Sequence, residues 1–196
     1  MKIVLASSNK HKVQEINDIV SSCGLSGKVE FILPPKDFDP IENGTSFEEN
    51  SYIKAKEAWK LSHTWVLADD SGLCIDALGG KPGIYSARYA ETPQKRIERV
   101  LNELNGEKNR DAHFSCAMTL INPQGEVEYK YQGICEGSIT EDVRGTNGFG
   151  YDPIFLVNGG TRTMAELSEE EKNQVSHRSD ALRNVLNYIG SLITVK

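Results

Sequence analysis

The sequence is poor in cysteine, and no two cysteines stand at a spacing that binds metal or cycles redox state. Its four cysteines are Cys23, Cys74, Cys116 and Cys135, widely separated and without a CxxC pair. This pattern argues against a zinc site or a redox dithiol, and reduced, buried thiols are typical of a cytosolic protein. We therefore expect the cysteines to contribute to packing.

Long apolar runs are also missing. The apolar segment at residues 1–6 is too short for a signal-peptide core, and no run approaches the roughly 20 residues of a membrane span. Internal repeats, low-complexity tracts and clear linkers are absent as well. The sequence therefore predicts a soluble, cytoplasmic protein with no membrane contact, in which residues 1–196 form a single domain of two lobes.

Positive charge is in deficit, since 22 Lys and Arg stand against 28 Asp and Glu, for a net charge of −6. This balance argues against a general nucleic-acid or anionic-membrane surface, but it leaves room for a local basic pocket that binds a phosphorylated small molecule. An RNA-binding domain is further disfavoured because no basic stripe alternates with aromatic residues. A glycine-rich P-loop is also missing, which argues against Walker-type nucleotide binding.

The most unusual stretch is Val66-Leu67-Ala68-Asp69-Asp70-Ser71-Gly72. Its apolar part predicts a buried strand that ends after Ala68, with both acids at the exposed carboxyl end, where ligands collect in open α/β sheets. No basic residue lies within four positions, so the repulsion between Asp69 and Asp70 calls for a divalent cation or a shifted pKa. The alternative is an ordinary Asp-Ser-Gly turn.

The amino terminus has the pattern of an anion site. A strand at residues 2–6 leads into a polar loop and then a helix whose apolar stripe contains Val13, Ile16 and Val20, with Gly24 placed to end it. Free backbone N–H groups at such a helix start face an anion. The candidate contacts are Ser7, Ser8, Asn9, Lys10, His11 and Lys12. A plain Ser cap with solvated lysines is the alternative.

Further along, the sequence predicts a strand at residues 29–33, a long loop at residues 34–46 that contains Glu42, and a helix that begins with a capping box. Asn50 and Lys54 project together from this helix, since they lie four residues apart. A strand at residues 73–78 should follow the acidic turn. The segments at residues 113–121 and 127–134 alternate in polarity and predict a long antiparallel hairpin, which is suited to a second lobe or an oligomer contact.

The stretch at residues 145–153 combines three glycines with Phe149, Tyr151 and Asp152. Glycines let the backbone approach a flat ligand, and either aromatic ring is able to stack on a base. The alternative is a turn whose aromatics belong to the core. Downstream, Ser168 caps a helix that carries Lys172, and residues 176–178 open the last helix. His177 and Arg178 at this helix start are candidates to bind an anion or a carbonyl oxygen; the alternative for a lone histidine is a surface or satisfied residue.

Six motifs occur in one order. They are Ser7-x-Asn9-x-x-Lys12, Phe47-x-Glu49-Asn50 with Lys54-Ala55, Ala68-Asp69-Asp70-Ser71-Gly72, Gly80-x-Pro82-Gly83-Ile84-Tyr85-Ser86-Ala87-Arg88, Gly148-Phe149-Gly150-Tyr151-Asp152-Pro153 and Ser176-His177-Arg178. Together they strongly resemble the inosine triphosphate pyrophosphatase family, also called dITP/XTP pyrophosphatases, from about residue 3 to residue 185. No position expected to carry chemistry departs from the family pattern.

The resemblance implies an α/β fold, with an elongated mixed β-sheet flanked by helices and two lobes around a central active-site cleft. It implies Mg²⁺-dependent hydrolysis of ITP, dITP and XTP to monophosphate and pyrophosphate by a cytoplasmic homodimer that clears these nucleotides from the precursor pool. Asp70 would be the catalytic acid-base residue, assisted by Asp69, and Glu42 and Asp70 would bind the metal. Residues implied to contact substrate are Ser7, Ser8, Asn9, Lys10, His11, Lys12, Lys54, Ser71, Phe149, Gly150, Tyr151, Asp152, Lys172, His177 and Arg178.

Two alternatives on a similar scaffold remain. A Maf-like nucleotide pyrophosphatase is disfavoured by the motifs at residues 148–153 and 176–178. A non-catalytic nucleotide sensor predicts loss of the acidic cluster, yet Glu42, Asp69 and Asp70 are all present. Consumption of nucleotide when Mg²⁺ is added separates the enzyme from the sensor.

Overall fold

The computed structural model describes residues 1–7, 16, 19–20, 25, 27–34 and 36–194. The strands are β1 (Lys2–Leu5), β2 (Glu30–Ile32), β3 (Trp65–Ile75), β4 (Lys81–Pro82), β5 (Asp111–Ile121), β6 (Val127–Ile139) and β7 (Phe155–Val157). The α-helices of the described part are α1 (Phe47–Ser62), α2 (Pro93–Glu103), α3 (Glu169–Val175) and α4 (His177–Thr194). None of these helices is both long enough and apolar enough to cross a lipid bilayer. The predicted loop contacts Ser8, Asn9, Lys10, His11 and Lys12 lie outside the described residues, as does nearly all of the helix predicted after them.

The strands form one mixed sheet. Its order is β2-β1-β3-β5-β6-β7, with β4 paired to β3. Strand β1 runs parallel to β2 and β3, whereas β4 is antiparallel to β3 and β7 is antiparallel to β6. Strands β5 and β6 are neighbours joined by a tight turn at residues 122–126, where Gly125 N donates to Asn122 O, as the hairpin prediction requires. The predicted α/β class and mixed sheet are confirmed.

The chain divides into two compact units, and the first consists of Met1–Asp70, Cys116–Gly133 and Arg178–Lys196. Its core follows the alternation of a strand, in which successive side chains point to opposite faces of the sheet. Ile3, Leu5 and Leu67 pack in a cluster that contains Leu182 and Val185 of α4. On the other face Val4, Ala6, Val66 and Ala68 pack in a cluster that contains Ala55 and Ala58 of α1. Helices α4 and α1 therefore cover opposite faces of β1 and β3.

The second unit consists of Ser71–Ser115 and Ile134–His177. Its apolar core joins residues from β3, helix α2, strands β5 and β6, and the segment that leads into β7. The fully buried members of this core are Leu73, Ile75, Val100, Leu104, Ile154, Phe155 and Met164. Helix α2 begins at Pro93 because the Thr92 side chain accepts from Lys95 N and proline is favoured in the first turn.

The prediction for the acidic stretch was wrong in one respect. Strand β3 does not end after Ala68 but continues to Ile75, so Asp69 and Asp70 are strand residues, only 2% and 7% exposed. The segment predicted as a separate strand at residues 73–78 is the end of β3 followed by a short 3-10 helix at Asp76–Leu78. The local Asp-Ser-Gly turn preference is overridden by cations that distant parts of the chain bring to both carboxylates.

Candidate active site

Helix α1 supplies the first of these cations, Lys54. The helix begins at Phe47 because the Ser46 side chain accepts from Glu49 N at 3.1 Å, which confirms the predicted start. Two turns later Lys54, 7% exposed, donates from Nζ to Asp70 Oδ1 at 2.9 Å and to Glu42 Oε2 at 3.3 Å. One ammonium group therefore joins two carboxylates that are 28 residues apart in the chain.

The environment of Lys54 favours its charged form. Burial alone lowers the pKa of a lysine, but the negative charges of Asp69, Asp70 and Glu42 outweigh that effect and raise the pKa of Lys54 above its ordinary value. Lys54 is consequently a permanent cation at neutral pH. A fixed cation next to two carboxylates is suited to hold charged oxygen atoms in place.

Asp69 has a different partner because it points to the opposite face of β3. Arg178 at the start of α4 places Nε 3.6 Å from Asp69 Oδ2, and both side chains are almost completely buried. The thiol of Cys116, on the neighbouring strand β5, donates to the same oxygen at 3.9 Å. The alternation of the strand thus gives two adjacent acids separate counter-ions, Lys54 for Asp70 and Arg178 for Asp69.

The donor set around Lys54 fits a hard divalent cation. Glu42 Oε2 lies 3.3 Å and Asp70 Oδ1 lies 2.9 Å from the Lys54 ammonium nitrogen, so two carboxylates meet at one point. Within the described ranges no three His, Cys, Asp or Glu side chains converge as a complete metal site. Mg²⁺ often binds through one or two carboxylates and completes its shell with water and substrate phosphates. Glu42 and Asp70, which share Lys54, fit that mode.

The second unit contains another charged group, organised by Asp152. The buried carboxylate accepts from Lys172 Nζ at 2.8 Å and from Phe149 N at 2.9 Å. Lys172 comes from α3, which starts with the predicted Ser168–Glu171 capping box, and its Nζ lies 4.8 Å from the centre of the Phe149 ring. Because the Phe149 ring is partly exposed, it is able to stack on a flat ligand next to a cation.

The other candidate base contacts fall into two kinds. The His177 ring stacks on Phe114, with centroids 4.8 Å apart and planes inclined by 13°, which fixes the plane of the imidazole. Tyr151 instead belongs to the core of its unit, where its hydroxyl donates to Ser86 O at 2.9 Å and burial raises its pKa. The surroundings of Tyr151 are therefore those of the alternative interpretation, in which this aromatic belongs to the core.

The structure therefore brings together Glu42, Lys54 and Asp70, and separately Asp69 with Arg178, and Phe149 with Asp152 and Lys172. Ser7 is buried two residues after β1, where its N–H donates to Leu5 O, while Ser71 is a partly exposed residue of β3. The sequence did not indicate Phe114, the stacking partner of His177. Asn50 was paired with Lys54 by its spacing, but its contact with Gly44 N was not anticipated.

Comparison with known proteins finds relatives over nearly the whole chain. Residues 3–188 match the Ham1 family. A Halalkalibacterium halodurans protein named dITP/XTP pyrophosphatase is 48% identical over 187 residues, covering 93% of this chain and 95% of the relative. A Prochlorococcus marinus protein of the same name is 44% identical over 185 residues, covering 94% of this chain and 95% of the relative.

Solved structures agree in fold. The HAM1 protein from Coxiella burnetii superposes with a TM-score of 0.88 at 39% identity, covering 97% of this chain and 99% of that one. The Staphylococcus aureus Ham1 protein superposes with a TM-score of 0.87 at 38% identity, with the same coverage of 97% and 99%. Sequence and fold match over nearly the full length of both partners, and the chain belongs to the Ham1 family.

Proposed function

We propose that this chain is a hydrolase that converts dITP, ITP and XTP to the nucleoside monophosphate and pyrophosphate. The observation that carries the proposal is the contact of Lys54 with both Glu42 and Asp70, in a member of the Ham1 family whose relatives are named dITP/XTP pyrophosphatases. Removal of these nucleotides from the precursor pool prevents their incorporation into DNA and RNA.

Cleavage between the α- and β-phosphates requires an oriented water molecule, neutralised charge and a stabilised pyrophosphate leaving group. Asp70 accepts the proton of the attacking water, and Lys54 holds the Asp70 carboxylate through its 2.9 Å hydrogen bond. Lys54 also compensates negative charge that develops on the phosphate oxygens. Asp69 assists through its charge, which together with that of Asp70 keeps Lys54 protonated.

Mg²⁺ is the proposed cofactor, and Glu42 and Asp70 would hold it. When bound, Mg²⁺ supplies positive charge to the phosphate oxygens and orients them for in-line attack. The meeting of Glu42 and Asp70 at Lys54 supports the assignment, since Mg²⁺ prefers oxygen ligands and often binds through one or two carboxylates.

Base selection is proposed to rest on two sets of residues. The first is Phe149 with Asp152 and Lys172, and the second is His177 with Arg178. Hypoxanthine and xanthine present an oxygen acceptor at position 6, where adenine presents an amino donor. Donors from His177 and Arg178 that pair with the oxygen are left unpaired by adenine, which costs roughly 10- to 100-fold in affinity per contact. Phe149 provides a ring for stacking, while Lys172 and Asp152 fix the loop that carries it.

The remaining contacts and the setting are proposals of the same kind. Ser7 to Lys12 and Ser71 contact the substrate, with Lys12 on the triphosphate, and residues 1–196 act as one domain.

The cytoplasm is the proposed location, supported by Cys74, Cys116 and Cys135, which are free thiols. A homodimer is also proposed, supported by exposed apolar residues on β6, Val127 and Ile134. Sedimentation equilibrium at several concentrations tests it, and a monomer throughout would refute it.

The decisive experiment is product analysis with ITP, XTP, dITP, ATP and GTP, each with and without Mg²⁺. We expect metal-dependent release of pyrophosphate and monophosphate from the first three, with ATP and GTP nearly untouched. Orthophosphate and diphosphate as products would exclude attack at the α-phosphorus. Binding of ITP without turnover would identify a nucleotide sensor instead of an enzyme.

A further inference from the structure

Asn50 is a buried polar residue on the same helix as Lys54. Its side chain is completely buried in the first half of α1, four residues before Lys54. Its Oδ1 accepts a hydrogen bond from Gly44 N at 2.9 Å. Because a backbone N–H requires an acceptor, this bond determines which way the carboxamide faces. Gly44 in turn lies two residues from Glu42.

The approach of Gly44 to Asn50 is too close for any other residue. A Cβ atom at position 44 would lie 2.7 Å from Asn50 Oδ1 and 2.8 Å from Glu49 Cβ, shorter than normal contacts. Next to it, Glu49 Oε2 accepts from Thr45 N at 2.6 Å and from Thr45 Oγ1 at 2.8 Å. The segment that carries Glu42 is therefore held against the first turn of α1 at two consecutive residues.

A carboxamide suits this position because it is a neutral acceptor. Asn50 Nδ2 is buried and has no hydrogen-bond partner among the residues that the structure describes, and an unsatisfied buried donor costs free energy. An aspartate would provide the same acceptor without that donor, but it would add a buried negative charge one helical turn from Lys54, which already contacts Glu42 and Asp70. The contact with Gly44 therefore favours asparagine in spite of its unsatisfied donor.

We propose that Asn50 is a positioning residue that, through Gly44, holds the Glu42 carboxylate beside Lys54 and Asp70, ready for the cation that accompanies the triphosphate. The inference rests on the proposed function. Residues that orient metal ligands in this indirect way typically contribute about 10- to 100-fold to metal affinity. Asn50 itself contacts neither the metal nor the reacting atoms.

Two measurements on the intact chain test the proposal. Hydrogen exchange of the Gly44 amide, measured without metal or nucleotide, reports on the contact directly. Mn²⁺ binding, measured by electron paramagnetic resonance with an ITP analogue that carries a methylene group between the α- and β-phosphorus atoms, reports on Glu42. Asn50→Leu removes the acceptor without adding charge, Asn50→Asp keeps the acceptor, and Gly44→Ala crowds the contact with Asn50 intact.

We expect Asn50→Leu to accelerate exchange at Gly44 and to weaken Mn²⁺ binding about 10- to 100-fold, whereas Asn50→Asp keeps the Gly44 amide protected. Gly44→Ala should weaken Mn²⁺ binding like Asn50→Leu, which keeps the test valid if the Leu variant does not fold. In a Glu42→Gln background, Asn50→Leu should cause no further loss. The matched control is Asn122→Leu, since Asn122 is also buried and its Oδ1 accepts from Gln124 N and Glu126 N. That variant should lose stability and keep parental Mn²⁺ affinity.

Three outcomes would overturn the proposal. They are parental Mn²⁺ affinity in both Asn50→Leu and Gly44→Ala, a further tenfold loss from Asn50→Leu in the Glu42→Gln background, and parental exchange at Gly44 in Asn50→Leu. Failure of the parent chain to bind Mn²⁺ with the analogue would instead overturn the proposed function, and this inference with it. The two failures are therefore distinguishable.

Discussion

At the scale of single residues, the direction of a side chain on β3 decides the role of each acid. Asp69 and Asp70 are adjacent in sequence, yet one pairs with Arg178 and the other with Lys54, because strand residues alternate between faces. Their mutual repulsion is therefore balanced by two separate cations. The asymmetry supports Asp70, which shares Lys54 with Glu42, as the residue closest to the chemistry.

Asp70→Asn should abolish most turnover while the fold persists. Asparagine has nearly the same shape but does not accept a proton from water, and loss of a general base costs about 10²- to 10⁴-fold in rate. Steady-state hydrolysis of ITP measures the loss, and circular dichroism verifies the fold. Near-normal kcat in this variant would defeat the assignment of Asp70.

Arg178→Ala should destabilise the protein by about 3–5 kcal/mol, because it leaves the buried Asp69 carboxylate without its guanidinium partner. Urea unfolding of parent and variant gives the difference. Arg162→Ala is the control, since the Arg162–Glu171 pair is exposed and its loss should have a much smaller effect. Equal stability losses in the two variants would show that the Asp69–Arg178 contact contributes no more than a surface pair.

At the scale of elements, the loop before β7 depends on one glycine for its contacts. Gly148 has a φ of +73°, and a Cβ there would lie 2.1 Å from Asp152 Oδ2, the oxygen that accepts from Phe149 N and Lys172 Nζ. Any side chain at this position must displace the carboxylate. The Phe149 ring and Lys172 would then lose their common support.

Gly148→Ala should therefore raise KM for ITP at least tenfold, with a smaller change in kcat. Gly159→Ala is the matched control, since Gly159 also has a φ of +73° but open space around its Cβ position. Both variants carry a left-handed strain of about 1–2 kcal/mol, so only the contact with Asp152 distinguishes them. An equal rise of KM in both variants would show that left-handed strain alone causes the effect.

Glu171 on helix α3 makes the stability of the protein depend on pH in acid. Hydrogen bonds from the Arg162 side chain and from Ser168 lower the pKa of Glu171 from 4.5 to about 2. Because the pKa of Glu171 is lower in the folded chain than in the unfolded chain, its carboxylate stabilises the fold at pH values above 4.5, the pKa of the unfolded chain. This contribution is lost as the pH falls towards about 2. The Tm difference between parent and Glu171→Gln should thus be constant at neutral pH and shrink in acid. A difference that grows as pH falls would contradict the assignment.

At the scale of the whole molecule, folding should not depend on a metal. The described core consists of three apolar clusters, and burial of apolar side chains is the main driving force of folding. Treatment with EDTA should therefore abolish turnover and leave Tm unchanged to within about 1 °C, unlike a structural zinc site, whose loss unfolds a domain. A fall of several degrees would indicate a metal that supports the fold.

Much of the architecture was predictable because local signals agreed with it. Ser46 and Ser168 begin helices as predicted, and the turn at residues 122–126 joins β5 to β6. The extent of β3 was not predictable, since Asp69-Asp70-Ser71-Gly72 has the composition of a turn. Burial of those acids depends on Lys54 and Arg178, and nothing local to the stretch indicates that either is near.

The sequence by itself determined the family, the class of fold and the candidate residues, because motifs and capping patterns are local and survive without a structure. Only the tertiary structure decided which residues act together. Opposite faces of β3 separate Asp69 from Asp70, packing of α1 brings Lys54 to Glu42, and Gly44 reaches Asn50 because it has no side chain. The contacts of Asp69 with Arg178 and of Asp70 with Lys54 join residues distant in sequence, and they form only when helices pack on both faces of one sheet.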